Sequence, residues 1–510
     1  MTRNDSRRWW ILMAFVPATL AIGLDATVIT IALPTLGAKL HASTGQMQWF
    51  VAAYTLVFAA AMVPGGMLGD RYGRKKVLLV ALTVFGLGSL ACAFAGSAGV
   101  FISARMVLGL GAAVVTPMVL GALPALFTDE ERPKAIAAIM AVTILGYPLG
   151  PILGGWLLSH FWWGWVFLMN VPVVVLALVA VMVFLPESRE PERPRLDGVG
   201  VVVSSAGLAV LTYGMIEAGQ HGWGNTVALA EMIGGLVAIG AFVLWERSTA
   251  DSLIDLELFR SRGFTWGTIL TTVLSFAMFG LIWAVPLFFQ EVTGVDAMGS
   301  GLRLLPMIGG LIVSAGIGPK LAARAGARVP VALGFVFVAV ALGIGTTTTV
   351  ASSEAFMAVW ITLCGLGMGF SMPTAMDAAL GALSPERSGV GSGTIQALRM
   401  VGGTFGAAVL GSVVNTVYLG RLDTAGLPGP VGQAVRGSVV SGVETAHKLH
   451  SGALLASVQG SFVHGMDVML WIAVAVAAAA VLLALAFLPG REKKSSPEAA
   501  ARPEFGHELG

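Results

Sequence analysis

The chain has 510 residues, of which 56% are hydrophobic and only 11% charged, with a net charge of +2. A soluble domain carries roughly 25% charged residues, so this composition cannot clothe a water-facing surface; the mean hydropathy of +0.84 agrees. Lipid is the solvent for most of the chain, and the near-neutral balance excludes nucleic acid as a partner.

The first ten residues, MTRNDSRRWW, are basic and then apolar, with no small-residue cleavage site. They read as a cytoplasmic lead into a first span, not as a removed signal. A bilayer core about 30 Å thick needs roughly 20 apolar residues of helix. Predicted spans lie at 10–34, 46–68, 77–96, 100–126, 135–159, 165–185, 199–217 and 226–246. They continue at 263–290, 299–319, 329–348, 355–378, 396–417 and 466–489, about fourteen in all. Backbone groups have no water to bond in lipid, so spans are helices or a closed barrel. These runs are too long and too uniformly apolar for barrel strands. Cys92 and Cys364 fall inside apolar runs and read as small apolar side chains, with no metal or redox spacing.

Charge orients the spans. With the N-terminus inside, the inner connections hold Arg71, Arg74, Lys75, Lys76, Arg247, Arg260, Arg262, Lys320, Arg324 and Arg328, among others. The outer segments hold only Lys39, Arg303, Arg421, Arg436 and Lys448. This is the positive-inside pattern, and it puts both termini in the cytoplasm of a multi-pass cytoplasmic-membrane protein. The organisation expected is an N-terminal six-helix bundle over 1–185 and two extra helices with their cytoplasmic linkers over 186–262. A C-terminal six-helix bundle follows over 263–490, then a disordered cytoplasmic tail over 491–510. An outer segment at about 418–465 is polar and mildly amphipathic; its His447, His450 and His464 read as solvated residues, not as a metal site.

The halves share a signature. The turn after the second span contains Leu68, Asp70, Arg71, Gly73 and Lys75; that after the tenth contains Leu321, Ala323, Arg324, Gly326 and Arg328 at the same spacing. Internal repeats of this kind are how many secondary transporters are built.

Four motifs lie on this frame: Leu24–Pro34 in the first span, Gly66–Lys76 in the turn, Arg105–Ala113 in the fourth span and Gly146–Gly155 in the fifth. Together they resemble the major facilitator superfamily, and more narrowly its fourteen-span drug:proton antiporters. The fourth-span motif departs from the family pattern at Leu108, and the sixth-span entry departs at Trp163-Gly164-Trp165. The resemblance implies an all-α polytopic fold of two six-helix bundles plus two extra central helices. It implies proton-coupled export of small lipophilic, including cationic, compounds by alternating access. No cofactor is implied, the proton gradient supplying the energy, and the expected working unit is a monomer whose partners are substrate, protons and lipid. An importer of the same fold, a channel and a membrane-embedded enzyme are the rival readings; no nucleophile elbow, phosphate loop or zinc pattern supports the last.

Asp25 is the sharpest candidate. A carboxylate near the middle of a span costs roughly 2.5–3.5 kcal/mol on insertion scales, and it can take up and release a proton as a cavity opens to either side. Arg105, which stays charged, is placed at the outer start of the fourth span; the resemblance implies a role in proton transfer and an ion pair with Asp25. Gly146, Gly150 and Gly154 form a smooth face with Gly155 beside it, and Pro148 and Pro151 permit a bend. Gly402 and Gly406 repeat the spacing. Gly66, Asp70, Arg71, Gly73 and Arg74 are read as a conformational gate at the inner face. Substrate-cavity candidates are Thr27, Trp283 (with Phe276 and Phe279), Met372 and Met376 (with Met368), and Asp377, read as a second buried acid. Glu217 and Glu231 are expected to pair locally. No metal site is expected.

Overall fold

The computed structural model describes residues 5–127, 139, 142, 149–187, 197–249, 255–383, 388–424 and 427–488, and among them every regular element is helical. Thirteen helices are long and apolar enough to cross a membrane. In chain order the first half has α1 (Asp5–Lys39), α2 (Thr44–Tyr72), α3 (Arg74–Ala93), α4 (Ala98–Leu126), α5 (149–160) and α6 (Trp165–Phe184). An intervening pair follows, α7 (Gly198–His221) and α8 (Thr226–Ser248). The second half has α9 (Arg262–Val292), α10 (Ala297–Ala325), α11 (Arg328–Gly345), α12 (Glu354–Leu380) and α13 (Ser388–Arg421). Two short helices, α14 (Gly429–Gly437) and α15 (Val439–Lys448), precede the long α16 (Gly452–Phe487). The remaining predicted span, 135–159, is described only at 139, 142 and 149–159, all helical. The predicted tail 491–510 lies outside the described residues.

Side-chain caps set the helix starts. Ser43 and Gln46 form a reciprocal capping box at α2, and Asp197, Asn225, Asp296, Ser353 and Ser451 cap α7, α8, α10, α12 and α16. Each satisfies N–H groups that a helix leaves unpaired. The internal repeat has a conformational counterpart. Gly73 ends α2 with φ +107°, and Gly326 ends α10 with φ +81°. Both use the region open mainly to glycine to turn directly into the next helix.

In the first half α4 packs on α2 and α3, and α6 on α1 and α3; in the second, α12 packs on α9, α10 and α11, and α16 on α9, α11 and α13. The halves meet along α2 with α13 and along α1 with α9. Of the intervening pair, α7 lies against both α2 and α13, while α8 packs principally on α7 and turns Ile233, Val237 and Leu244 outward. Outward apolar side chains on a single-neighbour helix are what a lipid-facing element carries.

Hydrogen bonds joining the halves among the described residues lie at mid-height or toward one end, the outer end by the charge pattern. Thr55 and Thr404 hydroxyls are 2.6 Å apart at mid-height. Gln48 Nε2 donates to Ala408 O at 3.4 Å, Gln290 Nε2 to Ile31 O at 3.0 Å, and Ser159 Oγ to Asp296 Oδ2 at 3.1 Å.

The outer segment differs from its expectation as a polar stretch over about 418–465. Here α13 runs on to Arg421 and α16 begins at Gly452, and α14 and α15 lie across the outer end. Val439, Val440, Val443 and Ala446 recur at helical spacing on α15 and are buried, as is Val435 of α14, which is why the segment folds down. Tyr418 Oη donates to Val435 O at 2.7 Å, tying this cap to the second half, and Thr44 Oγ1 donates to Gly437 O at 3.3 Å, tying it to the first.

Candidate functional site

The structure brings Asp25 and Arg105 together at the core of the first half. Arg105 Nη1 donates to Asp25 Oδ2 at 2.8 Å, and the side chains are 0% and 1% exposed. Arg105 is thus inside α4 and not an interfacial anchor at its start. Its Nε donates to Phe50 O at 3.0 Å, and its guanidinium lies 4.4 Å from the centre of the Tyr54 ring. A backbone carbonyl and an aromatic face stabilise a buried cation beside its counter-ion. Among the described residues the other carboxylate oxygen, Asp25 Oδ1, has no partner within hydrogen-bond distance. One oxygen is held by the arginine and the other is open to a proton.

Asn170 of α6 adjoins this pair and is fully buried. It donates to Ser89 Oγ at 3.1 Å, and Ser89 Oγ donates to Phe167 O at 2.9 Å. Tyr54 and Ser89 escaped the sequence reading, as did any role for Asn170. A lone polar side chain within each apolar run was the available signal for them; the Phe50 carbonyl leaves none.

The glycines of α5 do two different jobs. A Cβ at Gly150 would sit 2.9 Å from Leu24 O and would also meet Thr27 Oγ1; one at Gly154 would meet Val28. These two therefore seat α5 against the stretch of α1 that carries Asp25. Gly155 faces the other half: a Cβ there would lie 2.8 Å from both Ala297 O and Met298 Cα of α10. Gly301 of α10 answers it: a Cβ there would lie 2.6 Å from Pro151 O. Gly146 and Pro148 lie outside the described residues. In the second half Gly402 and Gly406 seat α13 against Thr272 and Phe276 of α9, the same relation as α5 to α1.

At the α2–α3 turn, curvature is concentrated at Gly73, while Gly66 is helical and lies against Pro117 of α4. The turn is fastened to the end of α6: Lys75 N donates to Glu187 Oε1 at 3.1 Å and Lys75 Nζ to Met182 O at 2.8 Å. The guanidinium of Arg71 lies 5.5 Å from the ring centre of Tyr72, and Arg74 opens α3. The Asp70 side chain lies outside the described residues. A Cβ at Gly73 would come within 2.5 Å of Glu187 Oε1 and would face the unfavourable φ as well. Gly73→Ala is therefore expected to lower stability by about 1–2 kcal/mol, read as a lower melting midpoint of the purified protein.

The proposed substrate positions differ in their exposure. Trp283 is buried at 1% exposure; Met368 and Met372 are half-buried against the core, and Met376 is half-buried. Asp377 is exposed toward the inner end of α12, so its reading as a second buried acid is corrected: Met368 and Met372 turn to the core and Asp377 lies on another face of the helix. Thr27 is half-buried beside Gly150 and bonds back to its own helix at Gly23 O, at 3.4 Å. Glu217 pairs with His221 at 2.9 Å, while Glu231 Oε2 is buried with no hydrogen bond among the described residues. A cavity of about 490 Å³ lies elsewhere, at the outer ends of α10 and α12, where Arg303 pairs with Glu354. His447 and His450 are exposed on and beside α15, and Cys92 and Cys364 are buried free thiols.

Comparisons place this geometry among known proteins. The chain is 32% identical over 98% of its length to a tetracenomycin C resistance and export protein of Streptomyces glaucescens, of which 94% is covered. It is 33% identical over 96% of its length to the multidrug efflux pump LfrA of Mycolicibacterium smegmatis, of which 97% is covered. In fold it matches a bacterial homologue of the human lysosomal transporter Spinster with a TM-score of 0.68 at 17% identity, over 95% of this chain and 98% of that one. It also matches a D-xylose–proton symporter with a TM-score of 0.61 at 14% identity, over 95% and 98%. The family model for the Major Facilitator Superfamily matches residues 15–407. A helical bundle of two repeated halves, relatives alignable almost end to end and a family match over most of the length make this chain a member of the Major Facilitator Superfamily of membrane transporters.

Proposed function

We propose that the protein exports small lipophilic compounds, cationic ones included, from the cytoplasm in exchange for protons. The observation that carries this is the buried Asp25–Arg105 pair with one carboxylate oxygen open, set where α5 packs on α1. A proton reaching Oδ1 neutralises Asp25 and leaves Arg105 to Phe50 O and the Tyr54 ring. That change alters how α1 is held to α4, and α1 touches α9 of the other half. A charge event at one residue can thus bias a two-state rearrangement of the bundles. The names of the aligned relatives, export and efflux proteins, support the direction of transport.

On this reading both termini are cytoplasmic, the outer end is closed in the state described, the gradient alone supplies energy, and cargo leaves chemically unchanged from a monomer. Everted membrane vesicles containing the protein should accumulate a lipophilic cationic dye when acidified inside and should lose it when the gradient is collapsed. Accumulation that persists at equal rate without the gradient would sink proton coupling, and covalently altered cargo would point to an enzyme.

A further inference from the structure

Two helices of the second half touch at mid-height and part near the outer end. A Cβ at Gly310 of α10 would meet Thr362 O of α12, and one at Gly365 of α12 would meet Met307 O of α10, so the backbones are in contact at that level. Above it Pro306 offers no N–H to carry the helix through, and the chain tightens: Leu304 N donates to Gly301 O at 3.2 Å and Met307 N to Leu304 O at 3.1 Å. The outer piece of α10, Ala297–Arg303, leans instead on α1 and the end of α9. Between it and the start of α12 lies the cavity of about 490 Å³. Phe289, Leu302, Pro306 and Met357 give it apolar walls, and Arg303 and Glu354 give it two charges. Toward the middle of the membrane, Val313 of α10 and Val359 of α12 face outward, as lipid-side residues do. An apolar cleft with charges at the membrane surface has the chemistry of a site for an amphiphile.

The two charges are paired, Arg303 Nη2 with Glu354 Oε1, and both remain accessible, at 23% and 74% exposure. The guanidinium also lies 6.0 Å from the centre of the Phe289 ring, which holds it over the cleft. A guanidinium has several further N–H groups and a carboxylate several further lone pairs, so each can take a second partner without giving up the first. The charges are also layered. Glu354 is the first residue of α12, whereas Arg303 is rooted more than a turn into α10 and is the less exposed of the two. Positive charge therefore lies beneath negative. A phospholipid carries its phosphate next to the glycerol and any ammonium at the tip, so a zwitterionic headgroup has the complementary order. Phosphate oxygens match the guanidinium fork, and a primary ammonium has N–H donors for Glu354. A trimethylammonium has no N–H to give, and a glycerol headgroup has no positive charge.

We propose that this cleft binds a phospholipid whose headgroup joins a phosphate to a primary ammonium, of the phosphatidylethanolamine type. The phosphate meets Arg303, the ammonium meets Glu354, and the acyl chains leave along the lipid-side faces that carry Val313 and Val359. All the walls belong to the second half, on α9, α10 and α12. The lipid therefore moves with that half and ties its outer end to the membrane surface, whatever the protein carries.

The test is native mass spectrometry of the purified full chain, released from nanodiscs holding phosphatidylcholine, phosphatidylglycerol and phosphatidylethanolamine in equal parts. The wild type should retain one phosphatidylethanolamine in preference to the other two lipids. Glu354→Gln, on an exposed side chain that leaves the fold alone, should lower that preference roughly tenfold or more, and Arg303→Gln should do the same. Exchanging the charges, Arg303→Glu together with Glu354→Arg, restores an ion pair with its layers inverted. That variant should still melt cooperatively and should show no preference. Equal retention of phosphatidylcholine would mean that the cleft takes any acyl chain, and a preference for phosphatidylglycerol would mean that Arg303 acts alone as an anion site. Either result overturns the proposal, as does a preference that survives Glu354→Gln or the exchange of charges.

Discussion

Asp25→Asn reduces gradient-driven dye accumulation to the level of vesicles lacking the protein, while the variant still inserts and melts cooperatively. The asparagine cannot exchange a proton, yet its side-chain oxygen can still accept from Arg105 Nη1. Arg105 also keeps its bond to Phe50 O at 3.0 Å and the face of Tyr54. The stability loss should therefore be modest, about 1–3 kcal/mol, as for hydrogen bonds to charged groups. Arg105→Gln removes the cation and leaves a carboxylate buried, which costs about 3–5 kcal/mol and should lower both expression and melting midpoint. Combining Asp25→Asn with Arg105→Gln removes both charges and should recover most of that loss without recovering transport. This pattern separates a proton carrier from a structural ion pair, because a structural pair would regain function together with stability. Wild-type transport by Asp25→Asn would end the assignment.

Much of this was legible before any coordinates. Span positions follow from apolar run length, because lipid allows a spanning chain little besides helix. The repeat at Gly73 and Gly326 was readable because both turns need a positive φ, and glycine is the residue that supplies it cheaply. Asp25 stood out because a lone carboxylate in an apolar run has to be doing something. The depth of Arg105 did not, since a helix start read from hydropathy alone is uncertain by a turn or more. The cap helices were missed for a related reason: α14 and α15 are short and amphipathic, and their apolar stripe is interrupted at the turn through Gly437 and Ser438. Asp377 misled because a helical face can be read from spacing but not which neighbour covers it. The Phe50 carbonyl depends on a contact between distant segments, and such a contact leaves no local trace.

Gly155→Ala is expected to open the outer end without unfolding the protein. The added Cβ would lie 2.8 Å from Ala297 O and from Met298 Cα, and both are backbone atoms that no rotamer change can move aside. Relief requires α5 and α10 to separate by a few tenths of an ångström, and those helices belong to opposite halves. The strain, about 1–3 kcal/mol by the usual cost of overpacking, exists only while the outer end is closed. It shifts the equilibrium toward outer opening by roughly 5–150-fold. A cysteine introduced by Ile31→Cys, in a background lacking the two native thiols, reports on this: Ile31 is fully buried and its carbonyl accepts from Gln290 of the other half. Labelling from outside by a membrane-impermeant maleimide should speed up in Gly155→Ala, and transport should slow because return to the closed state is disfavoured. Gly150→Ala provides the contrast. Its Cβ meets Leu24 O within its own half, so it strains both conformations alike, lowering the melting midpoint while leaving the labelling rate unchanged. Equal labelling in Gly155→Ala and wild type would mean that the α5–α10 contact does not hold the outer gate. An accelerated rate in Gly150→Ala would mean that the two faces of α5 are not separable, and that the gate is a property of the whole first half.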